Sequence, residues 1–274
     1  MLFTQHRSSR TLFASISLLF LFLLSPAYAL TDLEPSKEHR KAIRDMLNQL
    51  NSSHYVKLAV DDASSSRLLD AYLSDLDPNR QFLLAEDIAS FQQYRDRLDD
   101  ELEKGRLDTG FLIFNRYRQR IVSRLERSLD DLEKTVAAMD FSVDESFLLD
   151  RSEQPWPKNQ TEADEIWRKQ LKNRVLGLKL AGKEDKAIVE LLEKRFRNQV
   201  KRLTQLEAED AFQIYANALA SLYDPHTDYF SPRLSENFQI NMSLKLEGIG
   251  AVLQMEDDYT KIVRLVPAGP ADKD

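Results

Sequence analysis

Apolar residues recur every three or four positions along most of the chain, and the spacing changes only near its end. Ala42, Ile43, Met46 and Leu50 share one face of a helix expected from Ser36 to about Leu50, broken by Asn51-Ser52-Ser53. Leu68, Leu69, Tyr72, Leu73 and Leu76 mark a second, stopped by Asp77-Pro78-Asn79. A third is expected from Glu86 to about Lys104, with Ile88, Phe91, Tyr94 and Leu98 at helical spacing and Gly105 as C-cap. The longest pattern runs from Asp108 to about Met139. Its stripe of Phe111, Phe114, Tyr117, Ile121, Leu125, Leu129 and Leu132 is wide enough to bury against neighbouring helices. A core stripe outweighs a ligand groove there.

Phe141–Asn159 is too long for an unanchored connection in a compact domain. Trp156, between Pro155 and Pro157, and Phe147 are expected to pin it to the helices; a mobile flap is the functional alternative. Thr161, with Asp164 three residues on, predicts a capping box for the next helix, which Gly182 ends. Helices over about Lys183–Gln205 and Glu207–Leu222 follow. Lys194, Arg195, Arg197, Lys201 and Arg202 on the first of these read as a solvated face. No regular repeat is present. After Pro232 the pattern shifts to a short helix, Leu234–Ile240, and strands at Ser243–Leu246, Ala251–Met255 and Lys261–Leu265, with a turn at Asp257-Asp258. The fold class is therefore mainly α, with a boundary near Ser231–Glu236 and a β-rich remainder short for a sheet domain.

Composition narrows the setting. Arg7 and Arg10, the uncharged run Leu12–Leu24 and Ala27-Tyr28-Ala29 predict a signal peptide over residues 1–29, cut after Ala29. The apolar run is short for a retained anchor, which needs about 20 residues. A formal net charge of −7, with basic residues interspersed among acids, argues against a nucleic-acid binder. The chain has no cysteine, hence no thiol nucleophile, disulfide or thiolate metal site. No cofactor is implied.

Two stretches carry candidate chemistry. Asp224, His226 and Asp228 alternate along Asp224-Pro225-His226-Thr227-Asp228 and would share a side if extended. Pro225 favours a structured turn with Asp224 and Thr227 bonded to local backbone, over a metal or catalytic site. The second stretch is Leu246-Glu247-Gly248-Ile249-Gly250-Ala251-Val252-Leu253-Gln254-Met255. It concentrates two of only 7 glycines ahead of an apolar run. Glycines free successive amides to form a concave anion site, and a strand leaving such a nest can accept an incoming peptide by strand addition. A plain glycine-rich β-turn is the alternative.

The two stretches together, Asp224-Pro225-His226-Thr227 with Tyr229 and Ser231-Pro232, then Leu246–Met255, resemble the tail-specific (C-terminal processing) proteases, Ser–Lys peptidases of the bacterial periplasm. Leu149-Asp150-Arg151-Ser152, Pro155-Trp156-Pro157-Lys158-Asn159, Leu178-Lys179-Leu180 and Gly182-Lys183 extend the resemblance over nearly everything after the leader. It implies a helical N-terminal domain over residues 30–233 and the start of a PDZ domain over 234–274, the chain stopping inside that domain at the loop Pro267-Ala268-Gly269-Pro270-Ala271. It further implies that the amides of Ile249, Gly250 and Ala251 bind a substrate's α-carboxylate, and that Val252, Leu253 and Gln254 form the edge strand that accepts the tail. Ile249, Val252 and Leu253 are the candidates for an apolar pocket, although Val252 and Leu253 face opposite ways on a strand. No catalytic residue maps: neither Ser231 nor Lys245 lies in a nucleophile context, and the family's dyad comes from a core after the PDZ domain. The implied partners are proteins with free nonpolar C-termini and a helical-repeat lipoprotein adaptor, with peripheral membrane association through that adaptor. The alternative is a non-enzymatic exported helical adaptor or peptide-binding protein.

Overall fold

The computed structural model describes residues 30–243, 248–256 and 259–273. The expected leader, most of the expected strand Ser243–Leu246 and the turn Asp257-Asp258 lie outside the described residues. Among the described residues the fold is mainly α, with one two-stranded antiparallel sheet near the C-terminal end.

Helix α1 spans Lys37–Ser53. Ser36 caps it: its Oγ accepts from the His39 amide and the His39 ring accepts from the Ser36 amide, each at 3.2 Å. It continues through Asn51-Ser52-Ser53 because Lys57 Nζ donates to the carbonyls of Asn51 and Ser52. Helix α2, Asp62–Leu76, is capped by Asp61 in the same reciprocal way with Ser64.

The expected third helix is broken. It consists of α3 (Ala85–Phe91), a 3₁₀ turn (Gln92–Tyr94) and α4 (Leu98–Glu103). The cause is a serine from another helix. Buried Ser65 of α2 donates to the carbonyl of Arg95 (2.6 Å) and accepts from the amide of Leu98 (2.8 Å), occupying backbone groups that a continuous helix would use internally. The expected long helix also divides, into α5 (Asp108–Asp130) and α6 (Leu132–Ala137). Asp131 leaves helical geometry at φ −117°, ψ 12°, and Leu132 and Val136 are buried beyond the break.

Helix α7 runs Gln160–Leu180, α8 Asp185–Thr204, α9 Ala208–Ser221 and α10 Pro232–Ser243. The cap of α7 is Asn159, whose side chain accepts from the Glu162 amide (3.0 Å). Thr161 and Asp164 do not form the expected box. Asp164 is held instead by Arg124 of α5 at 2.7 Å and by the side-chain amide of Gln160 at 2.9 Å.

Two hydrophobic cores result. One joins α1, α2, α4, the first half of α5 and α9 around Ile43, Leu69, Tyr72, Leu98, Phe114 and Phe212. The other joins the second half of α5 to α6, α7 and α8 around Leu125, Val175, Ile188 and Leu192. Each fully buried side chain of this size contributes about 1.5–3 kcal/mol. Tyr117 of α5 packs against both.

The connection Phe141–Asn159 is strapped down. Trp156 packs on the first core, with the Arg80 guanidinium 5.6 Å from its ring centre, and the Pro157 carbonyl accepts from the Ala85 amide. Phe147 does not pin the strap to either core; it is half-exposed beside Leu176 in a shallow groove. Phe141 takes that role. It packs on the second core under the ammonium groups of Lys172 and Lys179. Glu145 then clamps the strap to Arg168 and Lys172 of α7.

A buried carboxylate organises the turn after α2. Asp77 accepts from the amides of Gln81, Phe82 and Leu83 at 2.8–3.1 Å. Burial raises its pKa, opposed by those amides and by the charge of Arg151. The turn then receives Trp167 of α7, whose indole N–H donates to the Gln81 carbonyl (3.0 Å) and whose ring lies 5.0 Å from that of Phe82.

Strands β1 (Ala251–Glu256) and β2 (Tyr259–Leu265) form the hairpin, in a register pairing Ala251 with Leu265 and Leu253 with Ile262. A bulge falls between Val252 and Leu253. Among the described residues, no helix is long and apolar enough to cross a membrane.

Candidate functional site

The segment after α9 is a turn. The Thr227 amide donates to the Asp224 carbonyl, and the Asp224 side chain accepts from the His226 amide (2.8 Å) and the Tyr55 hydroxyl. Those two donors lower the pKa of Asp224. Its carboxylate thus makes the expected local bond to the His226 amide and, in addition, a bond to the distant Tyr55 phenol. Thr227 differs from expectation: its hydroxyl meets His54 Nε2 at 3.1 Å.

The glycine stretch has a different geometry. Gly250 sits at φ +74°, where an L side chain is strained. A Cβ there would lie 3.0 Å from Gly269 Cα and 3.0 Å from Pro270 Cδ. Gly269 is equally confined, since its Cβ would come within 2.9 Å of the Val266 carbonyl oxygen. The two glycines therefore let the loop after β2 stack directly on the entry to β1. Ala268 holds a left-handed φ of +62° there, and its amide donates to Asp272 at 2.9 Å. The role of Gly269 as a backing for Gly250 was not visible in the sequence, where the resemblance marks only a loop over Pro267–Ala271. Gly248 is unlike its neighbour: its φ is not left-handed, and an added Cβ would meet nothing within 4 Å among the described residues.

Peptide planarity orients two of the three proposed amides. The Ile249 carbonyl accepts from Ala271 N (2.9 Å), and the Gly250 carbonyl accepts from Val266 N (2.7 Å). No cis peptide bond occurs among the described residues. In a trans peptide the N–H points opposite to the C=O of the same plane. The amide of Gly250 therefore points away from Ala271, and that of Ala251 away from Val266. Successive amides facing away from their own loop are the chemical basis of an anion site. The Ile249 amide belongs to the peptide of Gly248, whose carbonyl has no such bond among the described residues.

The side chains around these amides are apolar and open. Ile249 is 59% exposed and Leu253 50% exposed, with Ile262, paired to Leu253, and Leu265 exposed as well. Val252 is half-buried and Gln254 exposed. One edge of β1 pairs with β2. The opposite edge has no strand partner among the described residues. Ser231 is buried, and its carbonyl accepts from the Ser235 amide at the start of α10. Lys245 lies outside the described residues.

Residues 46–233 match the family model described as the tail specific protease N-terminal domain. The chain belongs to the tail-specific protease family. It is 36% identical over 239 residues to the tail-specific protease of Haemophilus influenzae, an alignment covering 87% of this chain and 34% of that protein. The chain thus spans about a third of the length of that relative. The match to the family model takes in most of the helical body, from the middle of α1 to the first residues of α10. The glycine loop and hairpin follow it.

Proposed function

We propose that this chain is the N-terminal part of a periplasmic tail-specific serine endopeptidase. On this reading it recognises nonpolar protein C-termini through the start of a PDZ domain, for degradation or processing. The observation that carries the reading is the pair of amides at Gly250 and Ala251, directed away from the loop that backs them and placed at the head of a strand with an open edge. A terminal carboxylate would be held there by the amides of Ile249, Gly250 and Ala251. The tail would pair along Val252, Leu253 and Gln254 as an added strand. Ile249 and one of Val252 and Leu253 would meet its last side chain, because alternation sends the two strand residues to opposite faces.

The Ser–Lys dyad is assigned to sequence outside this chain, and residues 1–29 to an export signal cut after Ala29. The helical body would serve as a platform for the peptidase and as the dock for a helical-repeat lipoprotein adaptor, through which the protein would associate with the membrane. The test uses the intact protein and two peptides that end in the same nonpolar residue, one a free acid and one an amide. Binding or cleavage of the acid with loss on amidation supports the reading. Equal behaviour of the two peptides removes the carboxylate site from the account.

A further inference from the structure

The segment Asp224–Ser231, which joins α9 to α10, is tied to the helical body at two levels. The outer level is exposed at Tyr55 and part-buried at His54 and Thr227. The hydroxyl of Tyr55, a residue 77% exposed, donates to Asp224 just beyond the C-terminal end of α1. Beside it the Val56 amide donates to His54 Nδ1 (3.1 Å). The same nitrogen lies 3.2 Å from the Val56 carbonyl oxygen, and Nε2 is hydrogen-bonded to Thr227 Oγ1 at 3.1 Å. The inner level is Tyr229. Its amide donates to Asn217 Oδ1 (2.6 Å), its hydroxyl to Glu209 (3.1 Å), and its ring stands edge-on to Phe212 at 5.0 Å.

Glu209 reaches further. Its other oxygen lies 3.0 Å from Nε2 of buried His39, whose ring stacks on Phe212 at 4.8 Å. His39 Nδ1 accepts from the Ser36 amide, so its Nε2 carries the proton and donates to Glu209. One carboxylate in the first turn of α9 thus joins the cap of α1 to Tyr229. Beyond Tyr229, Ser231 is buried, and Phe230 packs on Phe238 of α10 at 5.4 Å.

We propose that Asp224–Ser231 is a two-stage latch that fixes where α10 leaves the helical body: an outer clasp, Tyr55–Asp224 with His54–Thr227, that opens alone, and an inner pin, Tyr229 on Glu209 and Asn217, whose release frees the whole segment. The order follows from exposure. Water competes first for the exposed Tyr55–Asp224 bond, whereas both bonds of the pin are part-buried and lie beside the core ring of Phe212. The inference concerns the placement of α10 and does not depend on what the glycine loop binds.

Hydrogen exchange of the full-length protein, followed by mass spectrometry, tests the order. Tyr55→Phe is expected to speed exchange at His226 and Thr227 while leaving Tyr229 protected. Tyr229→Phe is expected to speed exchange across the non-proline amides of 224–231 by about tenfold or more, the loss expected for one hydrogen bond to a charged group. Glu209→Gln, which retains an oxygen for the Tyr229 hydroxyl, should preserve more protection than Glu209→Ala. Asn217→Ala, which leaves His39 untouched, should release Tyr229 as well. The proposal is overturned if Tyr55→Phe exposes Tyr229 as fully as Tyr229→Phe does. It is also overturned if Tyr229→Phe leaves the segment unchanged, or if its effect spreads evenly over all the helices.

Discussion

Replacing Asp77 by alanine removes the acceptor of three backbone amides and leaves Gln81, Phe82 and Leu83 to find other partners. Leu83 is fully buried, so its amide cannot turn to water. Each amide stranded in this way costs about 1–3 kcal/mol. Removing a carboxylate that burial already disfavours returns part of that cost. The net expectation is a loss of about 3 kcal/mol, equivalent to roughly 6–12 °C in melting temperature for a domain of this size. Asp77→Asn keeps one oxygen and should lose about half as much. Both tryptophans report on this turn, Trp167 through its bond to the Gln81 carbonyl and Trp156 through Arg80. Urea unfolding followed by tryptophan fluorescence therefore measures the loss and shows whether the turn itself has loosened. The pH dependence has a definite sign. Because the folded state raises the pKa of Asp77 above its ordinary 3.8, the native protein holds this proton more tightly than the unfolded chain. The contribution of Asp77 to stability thus falls as pH rises from about that value through the native pKa, and Asp77→Ala lacks this slope. A loss below about 1 kcal/mol for Asp77→Ala would refute the claim that the carboxylate organises the turn.

Glu145 should behave in the opposite way: Arg168 and Lys172 lower its pKa to about 2 from 4.5, so the clamp on the strap is complete above pH 4.5 and is lost as pH falls towards 2. Protection of amides 141–147, taken relative to their intrinsic exchange rates, should fall over that window and with added salt, and Glu145→Gln should lower it already at neutral pH. Gly110→Ala should destabilise by about 1–2 kcal/mol in a thermal melt, since its Cβ would press on the buried Tyr215 ring at 3.0 Å. Gly177→Ala in α7, with nothing within 4 Å, should instead stabilise by roughly 0.5–1 kcal/mol.

The helical body was largely legible because periodicity reports which face is buried, and most of the residues it selected, from Ile43 to Leu219, lie in the two cores. The failures came where a distant side chain intervened. Nothing near Arg95 announces that Ser65, thirty positions away, will take its carbonyl and break the third helix. The cap of α7 was misplaced by two residues because Thr161 and Asp164 satisfy a local rule, while the pairing of Asp164 with Arg124 is decided in three dimensions. At the candidate site the glycines were visible but their difference was not. Only the backbone separates Gly250, which must be glycine, from Gly248, which has room for a side chain. The partner of Gly250 across the loop, Gly269, lies nineteen residues away and carries no local signal of that contact.

The central claim is that the loop at Gly250 presents amides to a terminal carboxylate, and the affinity of Gly248→Ala and Gly250→Ala variants of the intact protein for a free-acid nonpolar tail peptide tests it most directly. Holding alanine at a left-handed φ costs about 1–2 kcal/mol, and the approach of Gly269 and Pro270 adds to it. The account predicts at least a roughly fivefold to thirtyfold loss of affinity for Gly250→Ala, near-native affinity for Gly248→Ala, and an unchanged melting temperature of the helical body in both. Equal affinity of the Gly250→Ala variant and the unsubstituted protein would contradict it.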